Sequence, residues 1–224
     1  MNQEKELSRP YLPVAVPGLV FIIGSSVITG LFFYFEWFLL GVPALFLTFF
    51  ICWFFRDPER FITKDEGAIV SPADGRMIVI EKVTSGEYVD TEALKVSIFM
   101  NIFNVHVNRV PSDGIVQEIK YTPGKFFNAS FDKASEFNER SALTIKTKAG
   151  YTYKVVQIAG LIARRIVCKI EENTFLRRGD RYGMIRFGSR LDLYLPCDTK
   201  IIVEKGQKVK AGSSILGYFK EKEI

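Results

Sequence analysis

Two Gly-Ser pairs in the C-terminal third of the chain place a hydroxyl nucleophile directly behind a residue with no Cβ. Gly188-Ser189 lies in IRFGSRLDLYLP, ahead of a run in which Leu191, Leu193 and Leu195 alternate with Asp192 and Tyr194; Gly212-Ser213 lies in VKAGSSILGYF. A serine hydroxyl is a weak nucleophile at its free pKa and needs a neighbouring base. The chain has one histidine, His106 in NVHVNR, the natural general acid or base near neutral pH; an imidazole satisfied inside a β domain is the alternative. Asp74, in VSPADGRM, has the type of an orienting carboxylate for that imidazole, although Pro72-Ala73-Asp74-Gly75 is equally an ordinary turn. Cys52, Cys168 and Cys197 are scattered, with no CxxC spacing. That argues for a reducing compartment and against a disulfide framework or a zinc site, and no metal is expected.

These residues need elements that hold strand ends and turns in register, and the chain from about Asp65 onward supplies them. Its apolar residues come in short runs separated by Gly, Pro and Asp, the pattern of a mainly β domain. GRMIVIEKV, LKVSIFM, GIVQEIKY, LTIKTKAGYTYKVVQIAG and RRIVCKIEE are the expected strands. Ala149-Gly150 is expected as a two-residue hairpin turn inside the fourth, since Gly takes the positive φ such turns require. FDKASEFNER, Phe131 to Arg140, is polar enough for a long loop or a short helix. FLRRGDRYGMI and KVKAGSSILGYF echo each other, Leu176-Gly179-Gly183 answering Val209-Gly212-Gly217. With VSPADGRMIVI, the echo is the pattern of a barrel-sandwich domain of the biotinyl and lipoyl carrier type, in which Gly212-Ser213 is a turn of a β-arch. Such carriers present a modifiable Lys at a hairpin tip beside Met or Asp. Neither echoing segment has one, and Asp132-Lys133-Ala134 lies outside both.

Ahead of this domain, residues 1–60 read as a membrane anchor. Val14 to Phe35 carries no charge, and after Glu36 a second apolar run extends from Trp37 to Phe55; roughly 20 such residues cross the hydrocarbon. Two long adjacent runs without an A-x-A-like site do not fit a cleaved signal peptide. Lys5 and Arg9 precede the first run, and Arg56, Arg60 and Lys64 follow the second, which puts both ends in the cytoplasm and Glu36 near an outer tip. A hairpin dipping into one leaflet is the alternative, given the short connection and the Gly and Pro content. The net charge of +5 is spread through the chain. Anionic lipid suffices as its partner, and nucleic acid is not expected, since no basic helix or stacking motif accompanies the charge.

Three further segments, FFRDPER, VSPADGRM and FNVHVNRVPSDG, followed by PGKF, QIAGLIARRIV and RFGSR in that order, resemble phosphatidylserine decarboxylase in its short form. The resemblance covers essentially the whole chain, including the apolar N-terminal region. It implies a proenzyme that cuts itself between Gly188 and Ser189 into a large chain, 1–188, and a small chain, 189–224, which remain together as a heterodimer; higher oligomers are left open. Attack of Ser189 Oγ on the Gly188 carbonyl gives an ester. β-Elimination then leaves dehydroalanine, which hydrolyses to a covalent pyruvoyl group and ammonia. That group, the only cofactor implied, would form a Schiff base with the amine of phosphatidylserine and accept the electrons left by departing carbon dioxide, giving phosphatidylethanolamine. The implied setting is the cell membrane, with residues 61–224 as the catalytic domain on its cytoplasmic side.

Within this set of motifs His106 reads as a catalytic acid or base rather than a satisfied imidazole, with Asp74 as the carboxylate that would orient it. Longer members of the family carry a second histidine three positions after the first, where this chain has Arg109. Arg is not an ordinary general base, so either His106 serves both cleavage and decarboxylation or another group activates Ser189. Arg109 suits the lipid phosphate, or an ordinary salt bridge. Phe126 and Phe127, with Phe131, read either as an apolar loop entering the headgroup region or as core. A noncatalytic or carrier-type barrel-sandwich module on a membrane hairpin is the alternative to the enzyme.

Overall fold

The computed structural model describes residues 13–84, 86–89, 92–124, 137–160, 166–186 and 189–220. The chain divides into two compact units, Met1–Glu59 and Arg60–Ile224.

The first unit is a helical hairpin. A 3-10 turn, Val16–Gly18, opens on Pro17, whose missing N–H is no loss at a helix start. It leads into α1 (Leu19–Tyr34), and α2 (Phe38–Phe54) returns. The two ends of the hairpin are tied by the Ala15 N–H to the Phe55 carbonyl and the Asp57 N–H to the Pro13 carbonyl, both 2.8 Å. Between the helices the Thr29 and Thr48 hydroxyls meet at 3.1 Å, and Gly41 lets α2 pass the Phe33 ring, which a Cβ there would approach to 3.3 Å. Most of the remaining side chains are bare apolar groups, Leu39 at 89 % and Phe46 at 69 % exposed. Val16–Tyr34 is long and apolar enough to cross a membrane; Phe38–Phe54 is shorter.

The second unit is mainly β, with a curled principal sheet. Its strands are β1 (Ala68–Val70), β2 (Gly75–Val83), β3 (Ala93–Met100), β4 (Val107–Arg109), β5 (Gly114–Thr122), β6 (Arg140–Lys146), β7 (Thr152–Ala159), β8 (Ile166–Cys168), β9 (Phe175–Leu176), β10 (Arg181–Ile185), β11 (Ser189–Leu195), β12 (Lys200–Ile201), β13 (Lys208–Val209) and β14 (Ile215–Tyr218). Among the described residues they make an eight-stranded sheet, β13-β2-β3-β11-β7-β6-β5-β9, and two small sheets, β1-β14-β12 and β4-β10-β8.

That order is a palindrome of structure. Outward from the central β11–β7 pair, β3 matches β6, β2 matches β5 and β13 matches β9, while each small sheet mirrors the other. One half is therefore β4 to β10, and it is inserted between β3 and β11 of the other. The halves repeat each other's hydrogen bonds. The Ala211 N–H reaches Asp74 Oδ1 at 2.7 Å as the Arg178 N–H reaches Asp113 Oδ1 at 2.7 Å. Gly212 bonds to the Ser71 carbonyl at 2.7 Å as Gly179 does to that of Val110 at 2.8 Å. The echoing glycines Gly179 and Gly212 have φ +86° and +74°, conformations that side chains strain.

The core lies on the inner face, where Leu191, Leu193 and Leu195 pack with Val96, Ile98, Met100 and Leu143. Alternation along β11 would put Arg190 and Asp192 in water, but both are fully buried. The outer face is covered too, by Tyr88, Ala142, Val156, Ile158 and Tyr194. The two charges survive there as a pair, Arg190 Nε to Asp192 Oδ1 at 2.6 Å, with Arg190 Nη2 to Ser97 Oγ at 3.1 Å.

Two expectations change in detail. The β6–β7 hairpin turns over three residues rather than two: Thr147 N–H bonds to the Tyr151 carbonyl at 2.8 Å and Gly150 N–H to that of Thr147 at 3.0 Å. A type I turn closed by Gly150 at φ +81° is the standard three-residue solution. Among the described residues of RRIVCKIEE, Ile166–Cys168 forms a strand. Of FDKASEFNER, residues 131–136 lie outside the described residues, and 137–140 lead directly into β6.

Candidate active site

Ser189 is the first residue of β11, wholly buried, and paired on one side with Met100 and on the other with Ala159. Side chains alternate along a strand, so Ser189 shares the inner face with Leu191 and Leu193. Among the described residues its hydroxyl has one partner, the Met100 sulfur at 3.9 Å. A thioether is a weak acceptor, and Ala159 presents only a methyl beside it. Among the described residues the hydroxyl is thus buried but lightly held.

His106 is brought to the same end of the fold by the inserted half. The chain leaves that half through β10 and enters β11 four residues later; it enters the half from Met100, reaching β4 at Val107. These two connections are stitched at both ends. Ser189 pairs with Met100, Met184 pairs with Val107, and the Ile185 N–H reaches the His106 carbonyl at 3.4 Å. His106 is wholly buried. One residue beyond β4's start, Asn108 Nδ2 donates to the same Met100 sulfur at 3.7 Å, and Gln157 Nε2 donates to Asn108 Oδ1 at 2.8 Å. Gln157 Oε1 is buried and accepts nothing among the described residues. Gly183 makes room for this amide, because a Cβ there would lie 2.7 Å from Gln157 Nε2.

Asp74 sits at the Gly212 turn. Its Oδ1 accepts from the Ala211 N–H at 2.7 Å, and Arg60 Nη2 spans both oxygens at 3.0 and 2.8 Å; among the described residues these are its hydrogen-bond partners. Arg109 is buried, its Nη1 donating to the Gly179 carbonyl at 3.0 Å, and its Cδ packs where a Gly212 Cβ would come within 3.0 Å. As placed, Arg60 and Arg109 brace the two echoing turns. Gly212-Ser213 is the expected turn: the Ser214 N–H bonds back to the Lys210 carbonyl at 3.0 Å. Gly188, Phe126 and Phe127 lie outside the described residues. Burial pushes the Cys168 thiol up, which keeps it in the protonated, less reactive form at neutral pH.

Asn108 and Gln157 went unremarked in the sequence although both lie in the segments NVHVNR and QIAG. Their types are unexceptional, and only the register turns them onto the inner face.

A buried serine at a strand start and a buried histidine just ahead of β4 thus lie on the two connections where one half of a β fold is inserted into the other. Comparison with known proteins gives the family. The phosphatidylserine decarboxylase family model matches residues 47–217. A phosphatidylserine decarboxylase proenzyme of Syntrophus aciditrophicus is 52 % identical over 207 residues, covering 92 % of this chain and 97 % of the relative. Those of Desulfotalea psychrophila and Cupriavidus taiwanensis are 50 % and 48 % identical, covering 93 % and 94 % of this chain and 98 % and 97 % of the relatives. The chain belongs to the phosphatidylserine decarboxylase family, a family of decarboxylase enzymes.

Proposed function

We propose that this chain is a self-processing enzyme that removes the carboxyl group of phosphatidylserine at a membrane surface. The observation that carries the reading is Ser189 itself, buried at the start of β11, its hydroxyl on the inner face and, among the described residues, held by the Met100 sulfur alone. In processing, Ser189 Oγ attacks the Gly188 carbonyl while His106 takes the hydroxyl proton. The donor Asn108 Nδ2, spent on a thioether, is available to the oxyanion that develops on Gly188. Elimination then releases the large chain as a carboxylate at Gly188 and leaves dehydroalanine at 189; water adds to its imine form and ammonia departs, so that the small chain keeps a pyruvoyl end in place of Ser189. That group, when present, supplies an electron sink for decarboxylation of an amine-bearing substrate.

The chain's other residues hold and protonate. His106, freed of its first task, returns a proton to the α-carbon of the head group, and the Leu191–Leu195 alternation locks the new chain end in the sheet between β3 and β7. Asp74 orients His106 only by leaving Arg60 and the Ala211 N–H, and Arg109 meets the lipid phosphate only by leaving the Gly179 carbonyl. The duplicated halves support a barrel-sandwich class, and the bare apolar hairpin supports an anchor in the cell membrane with the β unit on the cytoplasmic side. An anchor raises the effective concentration of the site against a lipid substrate. Membership in a decarboxylase family sets aside the noncatalytic alternative.

The test is a pair of serine variants run on a denaturing gel. Ser189→Ala should yield one uncut chain, whereas Ser213→Ala should yield two fragments as the parent does. An uncut Ser213→Ala chain beside a cleaved Ser189→Ala chain would falsify the assignment.

A further inference from the structure

The row of the sheet on which Ser189 stands continues for two more strands and ends in a carboxylate. Ser189 pairs with Ala159, and the Ala159 N–H bonds to the Glu139 carbonyl at 3.0 Å, just ahead of β6. Register fixes the face: Ser141 lies opposite Gln157 and Leu143 opposite Val155, Leu143 belongs to the inner core, and Glu139 falls on the same parity. With strands about 4.8 Å apart, Glu139 rises from the inner face roughly 10 Å from Ser189.

Glu139 is buried, at 6 % exposure. It lines a cavity of about 640 Å³ with Ile119, Tyr121, Ser141, Ile166, Cys168 and Ile170. One carboxylate oxygen is held, Oε1 accepting from the Tyr121 hydroxyl at 3.2 Å and the Ile166 N–H at 3.4 Å. The other, Oε2, accepts nothing among the described residues, and the described residues that line the cavity include no lysine or arginine. Among them, a carboxylate fixed at one oxygen, open at the other and walled by isoleucines has no cation beside it, and in such surroundings a matched cation is held far more strongly than in water.

Resting on the decarboxylase reading, we infer that this cavity is the amine subsite: Glu139 Oε2 binds the ammonium of the amino-acid head group and takes one proton from it. An ammonium nitrogen has no lone pair and cannot attack a carbonyl. Transfer of its proton to Oε2 leaves a neutral amine with a lone pair directed along the row toward residue 189, and the proton rests on Glu139 as a carboxylic acid. The Tyr121 hydroxyl, by bonding Oε1, keeps the carboxylate turned so that Oε2 faces the amine. Selection for an amine-bearing head group therefore lies in β5 and β6, outside the Ser189–His106 crossing.

The experiment uses the detergent-solubilised full chain and two soluble head-group probes, glycerophosphoserine and its N-acetyl derivative, which keeps the phosphate and carboxylate but has no basic amine. Calorimetry on the parent and on Glu139→Gln reads binding without turnover. Loss of one charge-assisted contact should weaken glycerophosphoserine about tenfold or more, while the N-acetyl probe binds both chains alike. Tyr121→Phe should weaken the serine probe about threefold through the same oxygen, and it carries the test if Glu139→Gln loses its cooperative melting. Equal binding of the serine probe by parent and variants, an equal loss for both probes, or no binding of it to the parent would each overturn the inference. Intact mass of the same samples reports cleavage at residue 189 separately, so failure of the decarboxylase reading is seen as an uncut parent and is not confused with failure of the amine subsite.

Discussion

At Ser189 the surroundings matter more than the dipeptide. Gly212-Ser213 has the same two residue types, yet its glycine sits at φ +74° in a turn braced by Ser71, Ile62 and Arg109, whereas Ser189 opens a central strand with a hydroxyl that, among the described residues, bonds to a sulfur alone. Ser189, His106 and Asp74 were legible as candidates because Ser, His and Asp are reactive types in a specific string of motifs, and of these Asp74 is paired with Arg60 and the Ala211 N–H. Asn108, Gln157 and Glu139 were not, because amides and a glutamate are ordinary until register shows which face they occupy. Two expectations belong at this scale. His106→Ala should slow cleavage by about 10²- to 10⁴-fold, the usual worth of a positioned base, read as the time course of fragment appearance; cleavage at the parent rate would remove His106 from processing. Asn108→Ala should slow the same time course by roughly 10²-fold, as loss of one oxyanion donor does, and an unchanged rate would leave the oxyanion to another donor.

The element that decides the site is β11. Its alternation predicted a strand with leucines inward, and Leu191, Leu193 and Leu195 do face the core. Burial of Arg190 and Asp192 was not legible, because alternation says which residues share a face and not whether something covers it. Here Tyr88, Tyr194 and their neighbours do. The pair fastens β11 at the residue after Ser189 and reaches across to Ser97 on β3, so after a cut at 188 it would join the small chain to the large one. Arg190→Met should leave Asp192 buried without its cation and cost about 3–5 kcal/mol, whereas adding Asp192→Leu should recover most of it. Chemical denaturation of both variants measures this; equal losses would mean the pair is not what fastens the strand. The three-residue β6–β7 turn shows the complementary limit, since Ala149-Gly150 fixed the place of the turn while the length followed from Thr147 pairing with Tyr151.

Over the whole molecule, the duplication was visible in sequence only at its turns. Gly179 and Gly212 repeat because their backbone conformation demands it, and Gly75 and Gly114 because a Cβ would strike the Phe99 or Lys146 carbonyl at 2.2 or 2.7 Å. The strands between them, such as β2 and β5, need only matching backbone bonds, so their sequences diverge and the insertion of one half into the other goes unseen. The apolar helical hairpin was legible from composition alone. Both tryptophans of the chain, Trp37 and Trp53, lie in the hairpin unit and are exposed at 56 % and 42 %. Vesicles containing brominated lipid should therefore quench most of the intrinsic tryptophan emission; emission unaffected by such vesicles would contradict membrane insertion. The central claim is that Ser189 becomes the working group of the enzyme. Intact mass of the small fragment tests it most directly: the expected fragment spans 189–224 and is lighter by one ammonia than the peptide Ser189–Ile224 that plain hydrolysis would release, and a fragment with an ordinary serine end, or no fragment at all, would contradict the account.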